Sequence, residues 1–115
     1  NNSFSAYMVS DKETLDIINK AFTNYNYILD PHSAVGYGAA QKALNDKIIS
    51  NDTPLVSLAC AHPAKFPDII NKAINIKPDL PSNLKFMMSS KENFEIIDPK
   101  ISTIQNFIKY NMRTK

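Results

Sequence analysis

The sequence has no tryptophan, a single cysteine and only two glycines in 115 residues. A lone cysteine, Cys60, excludes an internal disulfide and suits a reducing compartment, so a cytoplasmic location is expected. No apolar run approaches the roughly 20 residues that a bilayer-spanning helix requires, and no signal-peptide pattern is present. These absences argue against a membrane partner. Charge of one sign is not in excess either, with 13 Lys and Arg against 11 Asp and Glu and a net charge of +2. The acids and bases are interspersed, which leaves no electrostatic footprint for nucleic acid. Walker-type and dinucleotide-type glycine loops are missing. His32 and His62 lie far apart in the chain, and the lack of a spaced ligand pair argues against zinc.

What remains is an ordinary globular composition, 43% hydrophobic and 21% charged. The length allows one segment of at most one domain, residues 1–115, with a core of isoleucine, leucine, phenylalanine and tyrosine. The chain opens on Asn1-Asn2-Ser3 rather than methionine, which suggests an interior cut in something larger.

Ser10-Asp11-Lys12-Glu13 is a capping box, and Leu15, Ile17, Ile18, Ala21 and Phe22 follow at helical spacing. They predict a helix from about Asp11 to Thr23. Tyr25 to Leu29 reads as extended. Asp30-Pro31 opens a second helix, with the aspartate accepting orphan amides and proline at the first helical position. Ala34, Gly38, Ala39, Ala40 and Ala43 leave this helix almost without side chains. Gly36 and Gly38 each cost about 1 kcal/mol relative to alanine, so close approach of another backbone, a helix or a ligand is expected to offset them.

Leu55 to Cys60 is an apolar run bounded by turns and predicts a buried strand. Pro67 opens a third helix with Ile69, Ile70, Ala73 and Ile74 on its apolar face. A short helix is expected around Leu84 to Met88, and Phe94 to Ile97 reads as extended. Asp98-Pro99 repeats the cap-plus-proline device ahead of a last helix built on Ile101, Ile104, Phe107 and Ile108. The fold class expected is therefore α/β: mostly helix, one buried strand and one or two short extended segments. A single buried strand needs neighbours on both edges. Those neighbours are expected from outside the chain, either the remainder of a larger protein or another copy. A large exposed apolar surface should accompany their absence.

Chemistry in open α/β sheets gathers at the carboxyl ends of strands. There the sequence places Cys60, His62 and Lys65 within six residues. Asp30, His32 and Ser33 form a second cluster at a helix start, where free amides can hold an anion. Each residue also has a structural role open to it. Cys60 can be a small buried hydrophobe, His62 a hydrogen-bond donor to a backbone carbonyl, Asp30 a cap, and Ser33 a first-turn residue. Lys65 has nothing near it in sequence that would depress its pKa, so it reads as a solvated charge. Spacing and composition by themselves name no reaction.

Two segments do carry a resemblance. Asp30-Pro31-His32-Ser33-Ala34-Val35-Gly36 resembles the DPHTAVG motif of threonine synthases, with serine for threonine. Ala61-His62-Pro63-Ala64-Lys65-Phe66 is similar to the TAHPAKF segment near the C-terminal end of those enzymes. The order and separation match, and so do the flanks, from Phe4-Ser5-Ala6 and the helix at Asp11 to Leu80-Pro81 and Phe107-Ile108.

The resemblance implies the C-terminal part of the large domain of a fold type II enzyme dependent on pyridoxal 5'-phosphate (PLP). Such an enzyme converts O-phospho-L-homoserine and water to L-threonine and phosphate. The family's Schiff-base lysine and glycine-rich phosphate cup lie in its N-terminal part and are not recognisable here, so the chain alone should be inactive. Lys65 is not the cofactor lysine. Cys60 occupies the place of a family threonine whose hydroxyl faces the pyridine nitrogen, and a thiol is the weaker donor. His62 is expected to shape the turn beside the cofactor ring, with Asp30, His32 and Ser33 behind it. Two competing readings are a non-catalytic binding module of the same ancestry and another fold type II lyase such as a threonine dehydratase. The pair of motifs argues against the dehydratase.

Overall fold

The first helix begins on a complete capping box. Glu13 N–H donates to the Ser10 hydroxyl at 3.4 Å, and the Glu13 carboxylate accepts from Ser10 N–H at 2.7 Å and from its hydroxyl at 2.8 Å. In a computed structural model of the chain, which describes residues 4–112, this helix is α1, Asp11–Tyr25. It ends on Asn26, which takes the left-handed conformation with φ 51°, a role that asparagine fills at little cost. Tyr25 therefore belongs to the helix and not to an extended segment.

Helix α2, Pro31–Asn45, starts on the Asp30 cap with proline in its first turn. Helix α3, Pro67–Ile74, also starts on proline and ends at Asn75, again left-handed at φ 55°. A short 3-10 turn, Pro63–Lys65, precedes it. Helix α1 packs against both α2 and α3. The core lies between the three helices, where Ile18, Ala34 and Ile70 are wholly buried and Ile17, Ile28, Leu29, Ala73 and Ile74 close round them. Burying each of the two isoleucines contributes about 1.5–3 kcal/mol. Asn19 pins α1 to the end of α3 by donating its Nδ2 to the Ala73 carbonyl at 3.0 Å.

Gly38 shows why α2 is so poor in side chains. A β-carbon there would stand 2.5 Å from Ile17 Cδ1 and 3.2 Å from Val9 Cγ2. The close approach is to α1 and the residues leading into it, so helix packing offsets the glycine's cost. At Gly36 a β-carbon would stand 3.2 Å from the Ser57 hydroxyl.

The expected α/β class does not hold. Among the described residues there is neither strand nor sheet. Leu55 to Cys60 is irregular and exposed along its whole length, with Val56 at 82% and Leu58 at 78%. An apolar run signals a surface that gains by burial, but burial needs a covering surface and the amides need edge partners. The core between α1, α2 and α3 closes on Ile18, Ala34 and Ile70 without drawing this run in. Phe94 to Ile97 is likewise irregular, with Phe94, Glu95 and Ile96 exposed and Ile97 half-buried.

The chain divides into two units, Asn1–Pro81 and Ser82–Lys115. The first holds α1 to α3. The second holds a 3-10 helix, Ser82–Ser89, where the short helix was expected, and α4, Ile101–Asn111. The hydroxyls of Ser89 and Ser90 both donate to the Phe86 carbonyl, at 3.0 and 2.9 Å. Asp98-Pro99 does not cap α4. The N-cap is Lys100, without a side-chain cap bond. No helix among the described residues is long and apolar enough to cross a membrane.

Candidate functional site

Asp30 is 2% exposed, and both of its carboxylate oxygens are engaged. Oδ1 accepts the His32 N–H at 3.0 Å and the Ser33 N–H at 3.4 Å, which is the capping role expected of it. Oδ2 accepts the Ser33 hydroxyl in a short hydrogen bond, and also the N–H of Ala61 at 3.2 Å. The Ser33 oxygen in turn accepts the N–H of Cys60 at 3.0 Å. The start of α2 and the Cys60-Ala61 backbone are thus stitched together by one carboxylate and one hydroxyl. Sequence reasoning treats the two clusters as separate, and the structure joins them.

Burial pushes the Asp30 carboxyl up. The Ser33 hydroxyl and the amides of Ala61, His32 and Ser33 pull it down, and the net result lies below the usual value. Those donors bond to the ionised form, so they favour it. The buried carboxylate is tolerated here because the Ser33 hydroxyl and three backbone amides donate to it, with the His32 ring beside Oδ1.

The two histidines are held differently. His32 Nδ1 lies 3.3 Å from Asp30 Oδ1. A carboxylate only accepts, so the bond places a proton on His32 Nδ1. The His32 ring also stacks at a tilt of 55° on Phe66, with centroids 5.0 Å apart. His62 Nδ1 instead accepts the Ala64 N–H at 3.2 Å and so caps the 3-10 turn. In neutral His62 the proton is then on Nε2. The backbone bond of His62 is therefore not the expected one to a carbonyl, for the ring accepts an amide instead. His62 borders an open groove with Tyr27, Ile28, Pro63 and Lys77.

Cys60 departs from its expected role as a buried hydrophobe, for its thiol is exposed. The Cys60 S–H donates to the Leu58 carbonyl, with Sγ 3.6 Å from the oxygen. Lys65 is exposed at the end of the 3-10 turn. Sequence reasoning missed two participants, the Ala61 amide and the Phe66 ring. Phe66 carries a signal in the AHPAKF segment, but a backbone amide carries none.

Fold and hub together define a helical segment built round a buried carboxylate that anchors a turn bearing cysteine and histidine. The model of the family described as threonine synthase, C-terminal, matches residues 33–108. The chain is 32% identical over 106 residues to the threonine synthase of Pseudomonas aeruginosa, covering 91% of this chain and 22% of that protein. It is 34% identical over 121 residues to the threonine synthase of Saccharomyces cerevisiae, covering 92% and 23%. The X-ray structure of a PLP-bound threonine synthase from Brucella melitensis superposes with a TM-score of 0.75 at 34% identity, over 96% of this chain and 23% of that one. The chain belongs to the threonine synthase family, through that family's C-terminal region. It spans under a quarter of the length of these relatives.

Proposed function

We propose that this chain is the C-terminal part of the PLP-binding domain of a threonine synthase, with the remainder of that enzyme as its partner. The full protein would convert O-phospho-L-homoserine and water to L-threonine and phosphate. The observation that carries the reading is the tie between the two motifs, in which Asp30 and Ser33 hold the backbone of Cys60 and Ala61. Two motifs of one family, distant in sequence, meet in one hydrogen-bonded unit.

The residues present fit the cofactor. Cys60 holds an exposed thiol on a backbone fixed by Ser33. Its S–H, now donated to the Leu58 carbonyl, would turn to a pyridine nitrogen, a weaker donor there than a hydroxyl. His62, with Nδ1 occupied by the Ala64 amide, lines the open groove with Tyr27 and Pro63. PLP, when bound, supplies the electron sink for proton removal and phosphate loss. Cys60 would orient the ring through its nitrogen, and His62 would form the wall beside it. Asp30, His32 and Ser33 would stay behind these two and keep them in place. The Schiff-base lysine and phosphate cup belong to the part of the enzyme outside these residues.

The test uses the full-length protein supplied with PLP. Formation of threonine and phosphate from phosphohomoserine, with a visible cofactor absorbance, is expected. Cys60→Ala should weaken cofactor retention about tenfold, and Cys60→Thr should match or exceed the native protein. Deamination of threonine without turnover of phosphohomoserine would mark a dehydratase. Failure to bind PLP would mark a binding module of the same ancestry.

A further inference from the structure

The Ser33 hydroxyl has one proton and two lone pairs, and the hub uses them in a fixed sense. It donates its proton to Asp30 Oδ2 and accepts the Cys60 N–H at 3.0 Å. Asp30 Oδ2 receives the next amide along, Ala61 N–H, at 3.2 Å. Two consecutive amides of the turn are therefore read by two different acceptors, a hydroxyl and a carboxylate. Such a pair fixes the register of the segment, because a slip of one residue would put each amide before the wrong acceptor. Ser33 is 4% exposed and Asp30 2%, so water cannot readily replace either bond.

We propose that Asp30 and Ser33 are positioning residues that set the register, and with it the direction, of the Cys60 side chain, and that position 33 requires a hydroxyl able to donate and accept at once. The geometry stands independently of the cofactor. Its consequence for catalysis rests on the reading of Cys60 as the neighbour of the pyridine nitrogen. Alanine and valine can do neither half of the task. A thiol does both weakly. Threonine does both, and its extra methyl is the only change. Asparagine at position 30 would offer a single acceptor oxygen where two oxygens now take five donors.

The deciding comparison is Ser33→Thr against Ser33→Val in the full-length protein, because the two side chains have nearly the same shape and differ by the hydroxyl. Hydrogen–deuterium exchange at Cys60 and Ala61 is read without cofactor. Exchange in Ser33→Val should be faster by about tenfold or more, and in Ser33→Thr it should stay near the native rate. Amides of α1 around Ile18 serve as the control for global unfolding. Should Ser33→Val unfold them, the rate of Cys60 alkylation in Ser33→Thr and Ser33→Cys decides: native in the first and altered in the second supports the proposal.

With PLP bound, turnover and the cofactor absorbance band should shift in Ser33→Val and be restored in Ser33→Thr, with KM changed less than kcat. Equal exchange in the threonine and valine variants would overturn the proposal, as would equal alkylation in the threonine and cysteine variants. Altered exchange with an unchanged absorbance band would leave the register intact and remove Cys60 from the cofactor, which separates failure of the functional reading from failure of the positioning role.

Discussion

Two Asp-Pro pairs stand just ahead of helices in this chain, and they end in opposite states. Asp30 is the buried N-cap of α2, with five donors on its carboxylate. Asp98 lies outside α4, where its carboxylate makes a surface ion pair with Lys100 Nζ at 2.8 Å and its carbonyl accepts the Lys100 N–H, also at 2.8 Å. The difference lies in the residues that follow. Asp30-Pro31 is followed by His32 and Ser33, and the hydroxyl three positions on closes the cap. Asp98-Pro99 is followed by Lys100, whose ammonium captures the carboxylate, and by Ile101, which has no hydroxyl. The Ala61 amide also reaches Asp30 from a distant part of the chain. A local capping device becomes a buried anchor only when its own third residue and a distant segment both supply donors.

The largest test of this contrast is to remove each aspartate in turn. Asp30→Ala leaves the Ser33 hydroxyl and the Ala61 amide without an acceptor in a buried site and should cost about 3 kcal/mol. Asp98→Ala removes an exposed ion pair and should cost no more than about 0.5 kcal/mol. Urea denaturation of the two variants beside the native chain measures both. Comparable midpoints for the two variants would dissolve the distinction.

Acid should act on the same anchor. The folded-state pKa of Asp30 is depressed below its usual 3.8, so its stabilisation is fully present above that value and is lost as the pH falls through the folded-state pKa. Thermal melts between pH 5 and the acid limit should show stability declining below about pH 4, and Asp30→Asn should flatten part of that decline. A variant with the native slope would show that other carboxyls carry the acid response.

A gain-of-cap experiment sharpens the comparison further. Ile101 is 76% exposed, so Ile101→Ser sacrifices little burial and turns Asp98-Pro99-Lys100-Ile101 into the pattern found at Asp30. If the third residue is decisive, α4 should extend back to Pro99, with a gain of about 0.5–1 kcal/mol in helix stability. Backbone chemical shifts at Pro99 and Lys100 would report it. No change would assign the decisive share to the distant donor instead.

The same contrast explains what could be read in advance. Local signals placed the helices well: the box at Ser10, the cap at Asp30 and the proline at Pro67 all open helices, and Ile18 and Ile70 are core. The motifs at Asp30 and Ala61 were legible as a resemblance. What failed depends on partners that a linear pattern cannot specify. Leu55 to Cys60 has a strand's composition but no neighbour to pair with, and Asp98 has a cap's sequence but a cation beside it. The hub itself was invisible because half of it is backbone. Cys60 and Ala61 take part through their amides, which every residue except proline possesses.

Glu13 supplies the smallest and most discriminating prediction, since it is also a depressed carboxyl but is held in the opposite way. Its pKa is lowered from 4.5 to about 2, first by Lys42 and then by the backbone and hydroxyl of Ser10. The Lys42 Nζ lies 2.7 Å from Glu13 Oε1, with both side chains partly in solvent. Asp30 is buried and held chiefly by a hydroxyl and backbone amides, whereas Glu13 is half-buried beside the Lys42 ammonium. Salt should separate them, because the Debye length falls to about 3 Å at 1 M and screens exposed pairs far more than buried bonds. Carboxyl titrations followed by NMR should show Glu13 moving up toward 4.5 in 1 M salt, while Asp30 stays in place. Lys42→Met should move Glu13 the same way, though not fully, because the Ser10 bonds remain. Its contribution to stability, present above about pH 4.5 and lost on the way down to about 2, should shrink with both changes. If Asp30 instead followed the salt as closely as Glu13, its carboxylate would be held by long-range charge, and the anchor described above would not exist.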